Sequence, residues 1–315
     1  MGGQSNFGVI TKFKMQLFDC PPQILGGLVL YSIEQAATVT SAMERFCRKK
    51  DLPLECSVHL YALSLSPDEK ALALQICYLG DPNEGKEVLR ELVECAPCLD
   101  NQSKVTTYQN HQVFSDSVYR VKGIPSYWRS RYVREDVSIP IDTIVKVIEV
   151  APVEAILVIE HYGGKVRDFP TDATAFPHRD QDFVITMVGF GFANPERRKV
   201  IVDWINASTN SLEAVLGDGS PLNYDGHDSF RSFGTNLPRL RELKRRYDPD
   251  NFFRCNVNIQ PAEVNVEKTS VVIEESPERD PSNLDLTGKE RRPNSHDGTG
   301  TSEISHQGLV RPPAV

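Results

Sequence analysis

The sequence lacks the features that mark membrane-spanning and nucleic-acid-binding proteins. No apolar run approaches the about 18 residues that a bilayer span requires. Positive charge is not in excess, because 35 Lys and Arg stand against 43 Asp and Glu, which gives a formal net charge of -8. A nucleic-acid surface needs a basic stripe over the phosphates. We therefore expect no membrane span and no nucleic-acid partner.

Targeting and metal-binding patterns are also missing. The opening MGGQSNFGVI shows no charged region followed by an apolar stretch, so no signal peptide is visible and the compartment stays open. The 7 histidines show no paired spacing with cysteines or carboxylates of the kind that zinc requires. We expect no metal site.

The cysteines do not form a disulfide pattern. There are 7, an odd number, and most are scattered through apolar segments, which is typical of reduced thiols. The pair Cys95 and Cys98 has the spacing of a redox motif, but a helical pattern precedes it where such a motif needs a strand. We interpret it as a helix end followed by a loop.

The pattern of the chain suggests four regions. Residues 1–18 combine a glycine-rich turn with an alternating segment that predicts a leading strand whose partner strands are not in this sequence. Residues 19–216 and the C-terminal segment 217–261 are patterned as helices and strands. Residues 262–315 are polar and aperiodic, which predicts a disordered tail.

Within the patterned regions, helices and strands alternate in a way that predicts an α+β fold. Apolar spacing predicts helices over 34–49, 83–94, 141–150, 195–216 and 237–247. Alternation predicts strands over 57–65, 70–79, 155–162, 165–168 and 183–190. Strands joined both by a hairpin and by helices favour a mostly antiparallel sheet flanked by helices.

Four motifs follow one another along the chain. They are Gly2-Gly3-Gln4-Ser5-Asn6-Phe7-Gly8-Val9, Tyr162-Gly163-Gly164 followed by Thr174-Ala175-Phe176-Pro177-His178-Arg179, Leu222-Asn223-Tyr224, and Phe233-Gly234-Thr235-Asn236-Leu237-Pro238-Arg239-Leu240 followed by Lys244, Tyr247-Asp248-Pro249 and Asn251-Phe252-Phe253. Each is weak alone, but their order over nearly all of residues 1–261 is specific. With this combination the chain resembles the berberine bridge enzyme-like branch of the FAD-linked oxidases. The resemblance implies that residues 1–18 are the end of an FAD-binding domain absent from this sequence, residues 19–216 a substrate-binding domain, and residues 217–261 a segment that docks toward the flavin domain.

The resemblance implies FAD as the cofactor. Glycines allow close backbone approach to a ligand, and asparagine amides both donate and accept hydrogen bonds, as a flavin edge requires. The residues that the resemblance places beside the flavin are Gly3, Asn6, Phe7, Gly8, Asn223 and Asn236. The family's Arg-x-Gly-Gly-His pattern is absent, and no other nucleotide motif replaces it. We expect an incomplete FAD site that needs an upstream FAD-binding segment or chain.

Two residues are candidates for the catalytic base. Tyr224 occupies the last position of a segment similar to the family's Tyr-x-Asn-Tyr, although Pro221 replaces the first tyrosine. Glu160 ends an apolar strand, and alternation places it on the face shared with Ile156 and Val158. A packing role for Tyr224 and a solvated position for Glu160 remain as alternatives.

The resemblance also implies the reaction. It places Tyr108, Gln112 and Tyr162 in the wall of a substrate pocket. The implied function is an FAD-linked oxidoreductase that oxidises a small secondary metabolite by hydride transfer to flavin, with O2 as acceptor. The alternative is a non-catalytic truncated remnant, or a pocket-bearing binding protein without flavin.

Overall fold

The fold is α+β, as the sequence predicts. The computed structural model describes residues 2–66, 69–113, 116, 125–191, 194–217, 219–221, 224 and 229–263. The strands in these ranges are β1 Ile24–Ser32, β2 Cys56–Ser66, β3 Glu69–Tyr78, β4 Cys98–Asn101, β5 Lys104–Thr106, β6 Ser126–Arg134, β7 Ala155–His161 and β8 Gln181–Phe190. The helices are α1 Ala36–Cys47, α2 Pro82–Val93, α3 Tyr108–Val113, α4 Ile141–Glu149, α5 Pro195–Leu216, α6 Ser229–Phe233 and α7 Leu237–Tyr247.

The strands form a single antiparallel sheet in the described ranges. Its order is β4-β1-β3-β2-β7-β8-β6, and β5 pairs with β1 beside β4. The hairpin of β2 and β3 was predicted from the sequence and forms the middle of the sheet. Strand β7 lies between β2 and β8, so the strand that carries Glu160 is central.

Helices α1, α2, α4 and α5 cover one face of this sheet. Alternate residues of the strands point to that face and pack with the helices into the main core, as Leu157 and Ile159 of β7 do. Because successive side chains of a strand point to opposite faces, Val158 and Glu160 lie on the other face. We call this other face the outer face.

Local sequence explains where the helices begin. Asp81 caps α2, with its carboxylate accepting hydrogen bonds from the backbone N–H groups of Asn83 at 2.8 Å and Glu84 at 3.2 Å. Asn194 caps α5 in the same way, and Pro195 fits the first helical position. Helix α5 ends at Gly217, whose φ of 85° is a conformation that favours glycine.

One predicted strand is absent, and a second has no partner strand among the described residues. Residues 165–168, predicted as a strand, belong instead to the 3-10 turn Gly164–Asp168, which Gly164 enters with a φ of 68°. The alternating segment 9–15 of the predicted leading strand has no ladder partner in the described part of the chain, and Val9 and Phe13 are exposed. Alternation allows a strand, but only a neighbouring strand stabilises one.

A second, smaller core joins the two ends of the described chain. Ala175, Phe233, Leu240, Val257 and Ile259 pack together, with Phe7 and Leu237 against them. This core brings the first, second and fourth sequence motifs into contact. The proposed domain division of the chain remains a proposal, and the predicted tail lies outside the described residues from residue 264 onward.

Buried polar groups hold this smaller core together. The ammonium group of Lys244, which is fully buried, forms an ion pair with Asp248 and donates hydrogen bonds to the backbone carbonyls of Asn6 and Phe253. The Asp248 carboxylate also accepts from the backbone N–H groups of Phe252 and Phe253, both at 2.9 Å. A charge this deep is stable only when it is paired and hydrogen-bonded in this way.

The sheet is tied to the C-terminal segment by a second charge network. The guanidinium of Arg131 on β6 is fully buried and pairs with Glu213 on α5. Arg231 of α6 donates to both oxygens of the same carboxylate at 3.0 Å. The hydrogen bonds from Arg231 and Arg131 lower the pKa of Glu213 to about 2, and Arg231 contributes most.

Among the described residues, no helix combines the length and the apolar character that crossing a membrane requires.

We predict that Glu213→Leu lowers the free energy of unfolding by about 3 kcal/mol, because it removes the carboxylate that neutralises the buried Arg131 charge. Denaturant unfolding would measure this loss. Since the pKa of Glu213 is lowered, its contribution is present at neutral pH and is lost as the pH falls from 4.5 toward 2.

The matched control is Glu242→Leu, which breaks an exposed pair with Arg245. We expect no measurable change there, because exposed ion pairs contribute little. Equal losses in the two variants would contradict the structural role of Glu213.

Candidate active site on the outer face

On the outer face, polar side chains of β3, β2, β7 and β6 lie in one row, with an apolar residue of β8 between the last two. The strand register places His59 directly opposite Glu160, Glu160 opposite Val184, and Val184 opposite Tyr132. On the far side of His59, Gln75 of β3 continues the row. Directly opposed residues of an antiparallel sheet have neighbouring side chains on one face. A carboxyl, an imidazole and a phenol therefore share one surface of the sheet.

Glu160 is the most strongly perturbed acid on this face. Burial raises its pKa from 4.5 to about 7, because the carboxylate loses water that would solvate its charge. A hydrogen bond with the Tyr224 hydroxyl acts in the opposite direction and offsets only part of the effect. A carboxyl with a pKa close to neutrality can accept and release a proton in the physiological range.

Aromatic rings surround this carboxyl on one side. Tyr132 stacks on His178 with ring centres 4.6 Å apart and meets Tyr162 at 5.9 Å. Phe176 extends the cluster, 6.2 Å from Tyr162. Burial raises the pKa values of Tyr132 and Tyr162, so both phenols hold their protons more tightly than free tyrosine does.

Tyr224 is held by a second aromatic contact. Its ring lies 5.6 Å from that of Trp128, which in turn meets Phe190 edge-on at 6.0 Å. The structure thus brings Tyr224, Glu160 and Tyr162 together, three of the residues singled out from the sequence. Tyr224 comes from the segment after α5, whereas Glu160 and Trp128 are on strands.

The predicted cofactor residues lie at a different place. Gly3, Phe7 and Gly8 line a cavity of about 690 Å³ together with Asn236 and the exposed side of α7. Gly8 has a φ of 153° and open space where a Cβ would be, so its backbone faces the cavity without obstruction. The Asn223 position lies outside the described residues.

The two described asparagines are used by the protein itself. The Asn6 side chain donates to the Val257 carbonyl at 3.0 Å and accepts from the Ile259 N–H at 3.0 Å. The Asn236 amide donates to the carbonyls of Thr171 and Thr174 at 2.7 and 3.0 Å. These contacts support a structural role for both amide groups, where the sequence led us to expect contact with the flavin.

Two predicted pocket residues lie on helix α3. Tyr108 and Gln112 are exposed there and hydrogen-bond to each other at 2.8 Å. Helix α3 lies against the outer face of β1, since a Cβ on Gly26 would come 2.7 Å from the His111 ring. The pocket role of Tyr108 and Gln112 remains a prediction.

Sequence reasoning missed His59 and Tyr132 as members of the site. His59 and Tyr61 alternate with the apolar residues of β2, and that alternation was the available signal. It could not identify the neighbouring strand, because β2 pairs with β7 across a long stretch of sequence. Tyr61 donates a hydrogen bond to Gln75 at 2.8 Å and extends the polar row.

A search of the described residues for groups of three or more His, Cys, Asp or Glu able to hold a metal ion finds none.

The chain is similar to berberine bridge enzymes both in a family model and in a solved structure. Residues 229–260 match the family model described as berberine and berberine like. A solved structure of berberine bridge enzyme from Eschscholzia californica superimposes with a TM-score of 0.70 over 83% of this chain and 60% of that one, at 14% identity. At this identity the superposition shows the fold alone. The antiparallel sheet flanked by helices is the one found in that enzyme.

Curated relatives extend the match. The chain is 26% identical over 265 residues to an FAD-linked oxidoreductase of Dictyostelium discoideum, covering 82% of this chain and 57% of that protein. It is 27% identical over 306 residues to berberine bridge enzyme-like 17 of Arabidopsis thaliana, covering 83% and 56%. The chain spans little more than half the length of these relatives. The comparisons confirm the resemblance to the berberine bridge enzyme-like FAD-linked oxidoreductases.

We predict that the Glu160 carboxyl by itself removes up to about 3 kcal/mol of stability between pH 4.5 and pH 7, because ionising Glu160 costs more in the folded than in the unfolded state. An acid with a raised pKa contributes most below its unfolded pKa, and the contribution is lost as the pH rises through the folded value. The lowered pKa of His59 acts in the opposite direction over the same range, so the loss is measured as the difference in denaturant unfolding between the unsubstituted protein and Glu160→Gln at each pH.

Glu196→Gln, an exposed change on α5, is the control and should leave the pH dependence in place. An unchanged slope in Glu160→Gln would show that the carboxyl is not buried as described.

Proposed function

We propose that this chain provides the substrate-binding and proton-accepting side of an FAD-linked oxidoreductase. In the proposed reaction a substrate C–H next to oxygen or nitrogen is oxidised, and Glu160 takes the accompanying proton. The observation that carries the proposal is the half-buried Glu160 carboxyl, hydrogen-bonded to Tyr224, with its pKa raised to about 7. A base is most effective when its pKa is close to the working pH.

Glu160 is a better base than Tyr224 on this geometry, which reverses the order suggested by the sequence. Tyr224 shares a hydrogen bond with the Glu160 carboxyl. Ionising the phenol beside a carboxylate would place two negative charges in contact, which is unfavourable. We assign Tyr224 the role of donating to Glu160 and orienting it, with its ring held by Trp128.

The side chains around Glu160 favour a small, flat and uncharged substrate. The rings of Tyr132, Tyr162 and Phe176 provide apolar surfaces for a ring-shaped molecule. His59 and Tyr61 provide polar atoms on the other side of the carboxyl. Small-molecule sites commonly combine apolar walls with a few placed polar groups. A secondary metabolite with a ring and a hydroxyl or amine fits this description.

The glycine-rich turn fits one side of a flavin. Gly3, Phe7 and Gly8 present open backbone and a ring to the 690 Å³ cavity, where a planar group can lie closely. FAD, when bound, supplies the hydride acceptor, and the resemblance implies O2 as the final electron acceptor. The residues of this chain exclude water from the carboxyl, hold the substrate and move the proton.

The same cavity is poorly suited to the diphosphate of FAD. Its described lining contains one cationic side chain, Arg239, opposed by Asp172. Diphosphates are usually bound by several backbone N–H groups or cations. We therefore propose that an FAD-binding segment or chain completes the site.

We predict that the purified 315-residue chain carries no stoichiometric flavin, measured by absorbance at about 450 nm, where oxidised flavin absorbs. Supplying an FAD-binding segment from a berberine bridge enzyme-like relative should produce the band. A stoichiometric flavin band in the chain alone would contradict the incomplete-site proposal.

In the flavin-loaded protein, Glu160→Gln and Tyr224→Phe should each lower kcat at least tenfold, a loss of about 1.4 kcal/mol or more in transition-state stabilisation. The control is Tyr127→Phe, because the Tyr127 hydroxyl bonds to Asn206 on the helix-covered face. Unchanged turnover in Glu160→Gln would remove it as the base. If flavin is bound but no oxidation of any small alcohol or amine is detected, the binding-protein alternative is favoured.

A further inference from the structure

His59 has an unusual position beside the proposed base. It is the cross-strand partner of Glu160, and its Nδ1 lies 3.8 Å from the Glu160 Oε1. Its other ring nitrogen, Nε2, lies 3.4 Å from the hydroxyl of Ser57 in an exposed contact. One side of the imidazole therefore faces the carboxyl and the other faces a group that water reaches.

The imidazole of His59 carries no charge at neutral pH. Burial lowers the pKa of His59 to about 4, helped by the nearby His161 and His111, so the imidazole is neutral at pH 7. A permanent positive charge there would hold Glu160 as a carboxylate at all times. A neutral imidazole leaves the carboxyl free to gain and lose its proton.

The titratable groups facing the pair come from every neighbouring element. Glu160 is faced by phenols from β6, from the turn after β7 and from the segment after α5, which are Tyr132, Tyr162 and Tyr224. The electrostatics of His59 are influenced by the imidazole of His111 from α3 and, from the opposite face of the sheet, by that of His161 from β7. The amide of Gln75 lies beside His59 across β3.

The proposed function requires a group that carries the proton away from Glu160, and the neighbouring phenols and imidazole differ in how well they can do this. After each turnover the proton taken by Glu160 has to leave before the next substrate reacts. The raised pKa values of Tyr132 and Tyr162 make those phenols poor carriers. His59 presents Nδ1 toward the carboxyl and Nε2 toward Ser57, and in its Nε2–H tautomer the first nitrogen accepts a hydrogen bond and the second donates one.

We propose that His59 is the proton shuttle of Glu160. The O–H bond of the protonated carboxyl breaks as an N–H bond forms at Nδ1. The N–H bond at Nε2 breaks, and that proton passes to Ser57 or to water. Exchange of tautomers with water then restores the starting imidazole. No electrons are transferred in these steps, and the net change is loss of one proton from Glu160.

The inference rests on the proposed function, because it assigns a route for the proton that this reaction releases.

The energetics permit this route. Transfer from a group with a pKa of about 7 to one of about 4 is unfavourable by about a thousandfold in population. Barrier-free steps proceed at about 10¹² per second, so the penalty still leaves transfer much faster than an ordinary turnover of about 10 per second.

The first test uses the chain without flavin and is independent of the proposed reaction. Long-range proton–nitrogen NMR reports which ring nitrogen of each histidine carries the proton. As the pH rises through about 7 and Glu160 ionises, His59 should switch from the Nε2–H to the Nδ1–H tautomer, because the carboxyl changes from donor to acceptor. Glu160→Gln should abolish the switch.

His161 is the internal control. It follows Glu160 on β7 but points to the opposite face, where its ring meets Phe183 at 5.7 Å. Its tautomer should not change in step with Glu160. If His59 keeps one tautomer across the titration, the shuttle is excluded whatever reaction the protein performs.

The second test uses the flavin-loaded protein with His59→Gln, and His59→Asn as a second variant in case the first does not fold. Because the first turnover starts from ionised Glu160 and needs no proton release, the ratio of the first-turnover rate to the steady-state kcat should rise at least fivefold over that of the unsubstituted protein. Steady-state kcat should fall at least tenfold and recover on addition of imidazole.

If His59→Gln lowers the first-turnover rate as much as the steady-state kcat, and imidazole restores neither, His59 has a structural role and the proposal is overturned. Unchanged kcat would overturn it as well. A tautomer switch in a protein with no turnover would refute the proposed oxidation instead, which separates the two failures.

Discussion

The site depends on one unfavourable interaction, the burial of the Glu160 carboxyl on the outer face of the sheet. Removing water from this group raises its pKa to about 7, and the hydrogen bond with Tyr224 offsets only part of the shift. The strand pairing that fixes Glu160 opposite His59 also fixes the polar row around it. The main core on the helix-covered face supplies the stability that makes this burial possible.

The sequence motifs have a structural meaning apart from the cofactor. Lys244 and Asp248 of the fourth motif join the Asn6 backbone of the first, and Asn236 ties α7 to the loop that precedes β8. These buried groups have few alternative partners, so their replacement would disturb the smaller core before it affected any ligand. A residue inside a family motif can therefore act as a support for the cavity wall.

Prediction from sequence succeeded where the evidence is local. Helix α5 has a capping asparagine, a proline at its first position and a glycine after its last turn, and its bounds 195–216 are confirmed. It failed where a partner decides the conformation, as at residues 165–168, which form a 3-10 turn. The pocket positions of Tyr108 and Gln112 rested on resemblance, and they remain a prediction for helix α3, which lies against β1.

The sequence by itself determined that Glu160 and His161 point to opposite faces of one strand, because side chains alternate along any extended chain. It also determined the α+β class and the family resemblance. Only the tertiary structure decided which groups meet Glu160, because strand order and register bring His59 and Tyr224 to it from distant parts of the chain. Its raised pKa is likewise a property of packing, since burial acts on a charge only after other elements have removed the water around it.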